Sequence, residues 1–191
     1  AAHELRTPLT LVEGYAAMLQ DSFENLDTDK QTLINGIQNG SSRLRVIVDD
    51  LIDVSLIDNN LLSLNFQPVW LSKVFASLAL ELSKPLEERR QNLSIQPFDG
   101  STEMIYADPE RIYQLFRNIL QNAIKYTPDG GKIDVDGRKL PGFIEVIIKD
   151  TGIGIAPEDQ GLLFEKFSRL DNSLLHSSGR TKFKGGGPGL G

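Results

Sequence analysis

Three residues at the start of the chain could supply a nucleophile and a proton acceptor. His3 is followed directly by Glu4, and Thr7 comes one helical turn later. An imidazole is largely neutral at pH 7, so one ring nitrogen has a free lone pair. The Glu4 carboxylate could accept the other ring N–H and raise the nucleophilicity of the imidazole, and the Thr7 hydroxyl could hold a water. An exposed surface histidine at a charged helix end is the alternative interpretation.

A second polar group lies in a segment with helical periodicity. Asn118, Asn122 and Lys125 are spaced at i, i+4 and i+7, so they share one helical face. Amide oxygens suit Mg²⁺, which takes few protein ligands. Lys125 could neutralise phosphate oxygens, and Tyr126 offers a ring to a base or a hydroxyl to a phosphate. The alternative is an ordinary polar stripe on an amphipathic helix.

A glycine-containing segment follows a β-branched strand. Asp150 at the strand end could accept the exocyclic amine of adenine, and Gly152 and Gly154 would let the backbone approach a flat ring closely. An ordinary strand-to-loop turn explains the same residues.

The last thirty residues hold two further candidates. Phe164 and Phe167 could anchor a loop, and Arg169 is a candidate phosphate contact. Residues 182–191 are rich in lysine and glycine, and glycine-rich backbone can present N–H groups to phosphates. A flexible linker is the alternative for this tail.

The composition excludes several classes of protein. Apolar residues make up 40% of the 191 residues and charged residues 24%, which is typical of a globular chain. The net charge of -6 argues against a nucleic-acid binder. Cysteine is absent, which excludes disulfides and thiolate metal sites. No apolar run reaches the roughly 18 residues that a membrane span needs.

The apolar pattern predicts a helical hairpin at the start of the chain. Heptad-spaced apolar residues predict a first helix over residues 5–20, bent at Pro8, and a second helix over residues 28–58. A single hairpin cannot bury apolar stripes this wide, so the pattern predicts a homodimer with a four-helix bundle.

Mixed strand and helix patterns follow the hairpin. We expect strands near residues 66–70, 92–97, 104–107, 132–137 and 143–149. A helix capped by Ser72 is predicted to reach about Ser83, and Asp108-Pro109 predicts the start of a helix that ends near Tyr126. A short helix is predicted near residues 158–167. The predicted domains are residues 1–58 and 66–191, joined by a linker over 59–65, and we expect the chain to be a piece of a longer protein.

The order and spacing of the five polar and glycine-rich segments resemble those of the sensor histidine kinases. Residues 3–9 resemble their H box, 118–126 the N box, 150–154 the first G box, 164–167 the F box and 185–191 the start of the second G box. The resemblance covers essentially the whole chain. It implies an α+β fold: an antiparallel helical hairpin that forms a dimeric four-helix bundle, followed by a gyrase-type α/β sandwich that binds ATP and is truncated at its C-terminal end.

The resemblance also implies an activity. A member of this family is an ATP-dependent protein histidine kinase that phosphorylates itself, passes the group to an aspartate of a response regulator, and also acts as the phosphatase of that regulator. His3 would then be the phosphoacceptor, Glu4 its general base and Thr7 a residue that supports dephosphorylation. The implied cofactors are ATP and Mg²⁺, with Asn122 as the metal ligand.

By the same resemblance, one set of residues would form the nucleotide pocket and its lid. These are Asn118, Asn122, Lys125, Tyr126, Asp150, Gly152, Gly154, Arg169, Lys184, Gly187 and Gly189. The implied partners are a second copy of the chain and the receiver domain of a response regulator. From the charge and the apolar runs we expect no nucleic acid and no membrane contact from this segment, which would face the cytoplasm, and the full-length protein would be either membrane-anchored or soluble.

Two positions depart from the family pattern. Pro188 stands where Thr or Ser is usual and removes one N–H donor from the phosphate cradle, and Ala2 replaces the usual Ser. Two alternative functions are compatible with the same residues. A degenerate scaffold would dimerise without transferring phosphate, and a gyrase-like ATP-driven clamp would release phosphate independently of His3.

Overall fold

The computed structural model describes residues 2–21 and 28–163, with side chains described for residues 8–20, 28–161 and 163. The chain divides into two compact units, one ending at Leu62 and the other beginning at Ser63. The first is a helical hairpin and the second combines helices with β-sheet, so the predicted fold class is confirmed. The predicted domain limits remain a prediction, because residues 164–191 lie outside the described part.

The first unit consists of helix α1, Ala2–Asp21, and helix α2, Thr28–Asp58. α1 continues through Pro8. The two helices bury Leu9 and Ala16 from α1 and a heptad-spaced row from α2. That row is Ile34, Ser41 and Val48. A seven-residue spacing keeps one narrow seam facing the partner helix.

Polar contacts fix the register of the hairpin, and a defined turn ends α2. The Arg45 guanidinium donates to the carboxylate of Glu13 and pairs with it as an ion pair. At the end of α2, Asn60 has a φ of 53°, the Leu61 N–H donates to the Leu56 carbonyl at 2.8 Å, and the Asn60 N–H donates to Ile57. This pair of hydrogen bonds is a Schellman motif, and asparagine tolerates the left-handed conformation that it needs.

Much of the apolar surface of the hairpin stays exposed within the single chain. The exposed large apolar side chains of the two helices are Leu11, Val12, Tyr15, Met18, Leu19, Leu33, Ile37, Leu44, Leu51 and Ile57. Exposed apolar side chains in this number on two helices are typical of an interaction site. No helix in the described part of the chain is long and apolar enough to cross a membrane.

The described part of the second unit contains five strands, two long helices and one short 3-10 helix. They are β1 Gln67–Trp70, α3 Leu71–Glu88, β2 Asn92–Ile95, β3 Met104–Ala107, α4 Pro109–Tyr126, β4 Lys132–Leu140, β5 Phe143–Asp150 and the 3-10 helix Pro157–Leu162. β1 and β3 form an antiparallel ribbon. In the second sheet β4 is central, parallel to β2 and antiparallel to β5.

The core of this unit lies between the two helices and the three-stranded sheet. The Phe75 and Phe116 rings join α3 to α4, with centroids 4.7 Å apart. Ile133 and Val135 are fully buried on β4 while Asp134 between them is exposed, so the sheet turns one face to the helices. Each fully buried aliphatic side chain contributes about 1.5–3 kcal/mol. This core therefore holds α4 firmly against β4 and β5.

The structure corrects the predicted ends of α3. The helix begins at Leu71, the N-cap position is Trp70, and the Ser72 N–H donates to the Ser101 carbonyl, so the prediction that Ser72 caps the helix was wrong. α3 also continues through Pro85 to Glu88, beyond the predicted end. The short helix predicted near residues 158–167 is a 3-10 helix over Pro157–Leu162, and residues 164–167 lie outside the described part.

Candidate functional site

The candidate site is built around α4, whose start is set by Asp108. Its Oδ1 accepts the N–H groups of Glu110 at 3.0 Å and Arg111 at 3.2 Å, and Pro109 occupies the first turn, as predicted. Its Oδ2 accepts the Asn65 N–H at 2.9 Å. The hydrogen bond from Asn65, followed by that from Arg111, lowers the pKa of Asp108. The contacts with Glu110 and Arg111 satisfy N–H groups that a helix start leaves without partners.

We expect Asp108→Ala to lower the melting temperature of the second unit at pH 7, because α4 loses its cap. Asp108→Asn should melt between the two, since its one amide oxygen can cap the helix but cannot also accept the Asn65 N–H that Oδ2 accepts in the wild type. Folding lowers the pKa of Asp108. The charge therefore stabilises the fold above the unfolded-state value of about 3.9, and this contribution is lost as the pH falls through the folded-state pKa.

Thermal unfolding followed by circular dichroism across this pH range measures both effects. The margin of the wild type over Asp108→Asn should shrink on acidification. An alanine variant as stable as the wild type at pH 7 would contradict the capping role.

One face of α4 is available to a ligand. Phe116, Leu120, Ala123 and Ile124 are buried against the core. On the opposite side Asn122 is exposed and Asn118 is half-buried, one turn apart. Near the end of the helix the Lys125 ammonium lies 4.5 Å from the centroid of the Tyr126 ring, in a cation–π contact. The helix thus presents two amide groups, one ammonium and one aromatic ring.

The end of α4 meets the loop that follows β5. The Ile153 N–H donates to the Tyr126 carbonyl at 3.2 Å. In the same loop the Gly152 N–H donates to Asp150 Oδ1 at 2.8 Å. The structure therefore brings Tyr126, Asp150 and Gly152 together, although 24 positions of sequence separate the first two.

Gly152 lies too close to its neighbours to carry a side chain. A Cβ atom there would lie 2.5 Å from Asp150 Oδ1 and 2.7 Å from the Tyr126 carbonyl oxygen. Gly154 has a φ of 67°, a left-handed conformation that favours glycine. Both glycines are therefore required by the shape of this loop.

Thr151 anchors the loop to the sheet and was not singled out by the sequence analysis. Its hydroxyl accepts the Lys132 N–H at 2.9 Å, and its own N–H donates to the Lys132 carbonyl at 3.0 Å. Arg89 and Gln91, which contact the end of α4, were also missed. A threonine in a turn and a basic run at a helix end carry no local signal for such contacts.

The remaining predicted site residues divide into two groups. His3, Glu4 and Thr7 lie within α1, and their side chains lie outside the described part. The nucleotide contacts predicted in the last segment of the chain also fall outside it. These are Arg169, Lys184, Gly187 and Gly189.

Two family models match the chain. The model of the His Kinase A (phospho-acceptor) domain matches residues 1–60. The model of the histidine kinase-, DNA gyrase B- and HSP90-like ATPase matches residues 107–191. The first match includes the whole helical hairpin, and the second includes α4, β4, β5 and the loop after β5.

Individual proteins agree with these matches. The sensor histidine kinase WalK of Bacillus subtilis (strain 168) is 32% identical over 194 residues, which cover 100% of this chain and 30% of WalK. The chain spans less than a third of the length of the curated relatives that it matches.

Two solved structures resemble the fold. Full-length ShkA in complex with AMPPNP has a TM-score of 0.74 and 24% identity, covering 88% of this chain and 36% of ShkA. The histidine kinase ThkA in complex with the response regulator protein TrrA has a TM-score of 0.57 and 24% identity, covering 87% of this chain and 48% of ThkA.

Proposed function

Since this chain belongs to the sensor histidine kinases, we propose that it transfers the γ-phosphoryl group of ATP to its own His3 and then to an aspartate of a response regulator. The observation that carries this proposal is that one chain contains two different units. A phosphoacceptor-type hairpin bears His3 on α1, and an ATPase-type unit presents the polar face of α4 beside the loop after β5.

The nucleotide is proposed to lie between the polar face of α4 and the loop after β5. The Asp150 carboxylate would accept the exocyclic amine of adenine while its Oδ1 holds the Gly152 N–H. Gly152 and Gly154 would allow the ring to approach the backbone. Lys125 and Tyr126 would contact phosphates or the nucleoside from the end of α4. Because AMPPNP is bound by ShkA, whose fold is similar, an ATP-type ligand suits this fold.

The exposed amide of Asn122 fits Mg²⁺. Mg²⁺ keeps most of its waters and is bound by few protein ligands together with substrate phosphates, and Asn122 lies on the open face of α4. Asn118 is half-buried one turn earlier on the same face of α4 and would lie close to the bound ion. When bound, the ion would neutralise charge on the phosphate oxygens. We further propose that Arg169, Lys184, Gly187 and Gly189 complete the pocket from the last segment of the chain.

The proposed phosphoryl transfer depends mainly on two conditions. The attacking His3 nitrogen must be in line with the bond that breaks at the γ-phosphorus, and the negative charge of the phosphate oxygens must be neutralised. The free ring nitrogen of His3 attacks the γ-phosphorus, a P–N bond forms, the bond from that phosphorus to the bridging oxygen breaks, and ADP leaves. Glu4 accepts the proton on the other ring nitrogen and so raises the nucleophilicity of the imidazole. When Glu4 returns this proton to the ring, the phosphorylated imidazole becomes positively charged, and its P–N bond is then a good donor to a carboxylate.

The second step passes the phosphoryl group to a receiver domain. A carboxylate oxygen of the regulator's aspartate attacks phosphorus, the P–N bond breaks and His3 becomes neutral again. The complex of ThkA with the response regulator TrrA supports a partner of this kind. Thr7, one turn from His3, is proposed to position the water that removes phosphate from the regulator.

We propose that the chain works as a homodimer. The apolar side chains that stay exposed on both helices of the hairpin need a covering surface, and a second hairpin would supply one as a four-helix bundle. On α2, Ile37, Leu44 and Leu51 are spaced by seven residues and lie on the side not covered by α1. A heptad row of this kind is suited to pairing with another helix.

Leu44→Glu should therefore weaken dimerisation by about 100-fold or more, because a buried unpaired carboxylate costs several kcal/mol. Light scattering coupled to size-exclusion chromatography over a dilution series measures the effect. Leu80→Glu is the matched control, since Leu80 is 79% exposed on α3 in the other unit and Leu44 is 51% exposed. Equal dimer stability in Leu44→Glu and the wild type would contradict this interface.

The function is tested by incubating the chain with Mg²⁺ and ATP labelled at the γ position. Label that stays on the chain in base and is lost in acid indicates a phosphorylated nitrogen, and transfer to an added receiver domain indicates the second step. ATP labelled at the α position is the control and should leave the chain unlabelled. Release of inorganic phosphate with no label on the chain would indicate an ATP-driven clamp, and nucleotide binding without turnover would indicate a scaffold.

A further inference from the structure

Arg89 lies against the C-terminal end of α4. The residue is 7% exposed. Its guanidinium donates to the carbonyl oxygens of Ile124 and Thr127, the latter at 2.8 Å. The Nε group donates to Asp129 Oδ1 at 2.9 Å. One side chain thus joins the end of α3 to the last turn of α4 and to the loop that follows it.

Gln91 reinforces the same contact. Its side-chain amide donates to the carbonyl oxygens of Ile124 at 3.0 Å and Thr127 at 2.7 Å. The main chain adds a further bond, because the Gly130 N–H donates to the Arg89 carbonyl at 3.0 Å. The end of α4 is therefore tied to the segment from Arg89 to Gln91 by side chains and by backbone.

Arg89 suits this position for a physical reason. The last carbonyl groups of a helix lack partners within the helix and carry its negative dipole end. A guanidinium has several donors in a fixed plane and keeps its charge when buried. The Arg89 guanidinium can therefore donate hydrogen bonds to the Ile124 and Thr127 carbonyls at the same time. A lysine ammonium lacks this planar arrangement of donors.

The same turn of α4 carries the proposed nucleotide contacts. Lys125 and Tyr126 lie between the two carbonyls that Arg89 holds, and Asn122 lies one turn before Tyr126. The Tyr126 carbonyl, which lies between the Ile124 and Thr127 carbonyls along the chain, accepts the Ile153 N–H from the loop after β5. The end of α4 is thus held from two directions, by the segment containing Arg89 and by the loop containing Asp150.

We propose that Arg89 is a positioning residue, which holds the last turn of α4 so that Asn122, Lys125 and Tyr126 face the nucleotide. This proposal rests on the proposed function, since it concerns the same pocket. Arg89 itself would touch neither nucleotide nor metal. Without it, the Ile124 and Thr127 carbonyls would keep only the Gln91 amide as a donor among the described contacts, and the turn would be free to shift.

The test measures AMPPNP affinity in the presence of Mg²⁺ for Arg89→Met. We expect the dissociation constant of AMPPNP, and the KM for ATP in autophosphorylation, to rise about tenfold. The kcat should change less than about threefold, because the variant weakens nucleotide binding and keeps the groups that transfer the phosphate. Asp129→Asn is the matched control. Asp129 is 70% exposed, and exposed ion pairs contribute little, so its affinity should stay within about twofold of the wild type.

A second variant separates positioning from folding. Arg89→Lys keeps the charge and loses the planar fork, so it should fold and show a smaller rise in the dissociation constant. If the variants are folded by circular dichroism, melt at lower temperature and still bind AMPPNP as the wild type does, the role of Arg89 is structural only and the proposal is overturned. If the wild type does not bind AMPPNP, the proposed nucleotide site itself is wrong.

Discussion

Replacing His3 with alanine will abolish the acid-labile phosphate that the chain acquires from ATP. The imidazole nitrogen is the proposed nucleophile, and alanine offers no group that could form a P–N bond. We expect the incorporated label to fall by at least about 100-fold, because Ala2 and Glu4, the residues next to His3 in the sequence, carry no imidazole. Nucleotide binding should be unchanged, since His3 lies on α1 and the proposed pocket is built on α4 and the loop after β5.

The chain offers a matched control for this experiment. It has only two histidines, and His176→Ala removes the second one, for which no role is proposed. Gel analysis after base treatment, with AMPPNP binding measured in parallel, separates transfer from binding. Label retained in His3→Ala and lost in His176→Ala would show that the phosphoacceptor is His176 and not His3.

Gly152→Ala will weaken nucleotide binding by about tenfold or more. The added Cβ would lie 2.5 Å from Asp150 Oδ1 and 2.7 Å from the Tyr126 carbonyl oxygen. The Tyr126 oxygen is backbone at the end of a packed helix, so the loop has to move. Overpacking of this kind costs roughly 1–3 kcal/mol, and about 1.4 kcal/mol is a factor of ten in affinity.

Calorimetry with AMPPNP and Mg²⁺ measures this loss, and Gly161→Ala is its control. Gly161 lies in the 3-10 helix, and a Cβ there would meet no atom within 4 Å. The control should bind as the wild type does. A folded Gly152→Ala variant with wild-type affinity would show that the turn between Asp150 and Gly152 does not shape the nucleotide site.

The start of α4 and the end of α3 show how far local patterns predict a helix. Asp108-Pro109 predicted the start of α4 correctly, because capping depends on N–H groups two and three residues away. α3 extends beyond the end that was predicted near Ser83, although the residue before a proline is disfavoured in a helix. In the fold Leu82 and Leu86 continue the buried row of α3 on both sides of Pro85, and their burial outweighs the hydrogen bond that proline removes.

The candidate site also combines features that local patterns predict with features that only the packing of the fold produces. Helical periodicity alone placed Asn118, Asn122 and Lys125 on one face, and the structure describes that face as the side of α4 away from the core. Periodicity could not show that Asp150 lies next to the end of that helix, because the approach depends on the pairing of β4 with β5 and on the packing of α4 against them.

The sequence by itself determined the features that depend on near neighbours along the chain. These are the heptad spacing of the hairpin, the cap at Asp108 and the polar face of α4. Only the tertiary structure decided which distant groups support the end of α4. Arg89 lies 40 positions before Asp129, and Gln91 lies 36 positions before Thr127. Such contacts leave no periodic signal, because they arise only when packing of the core brings the ends of α3 and α4 together.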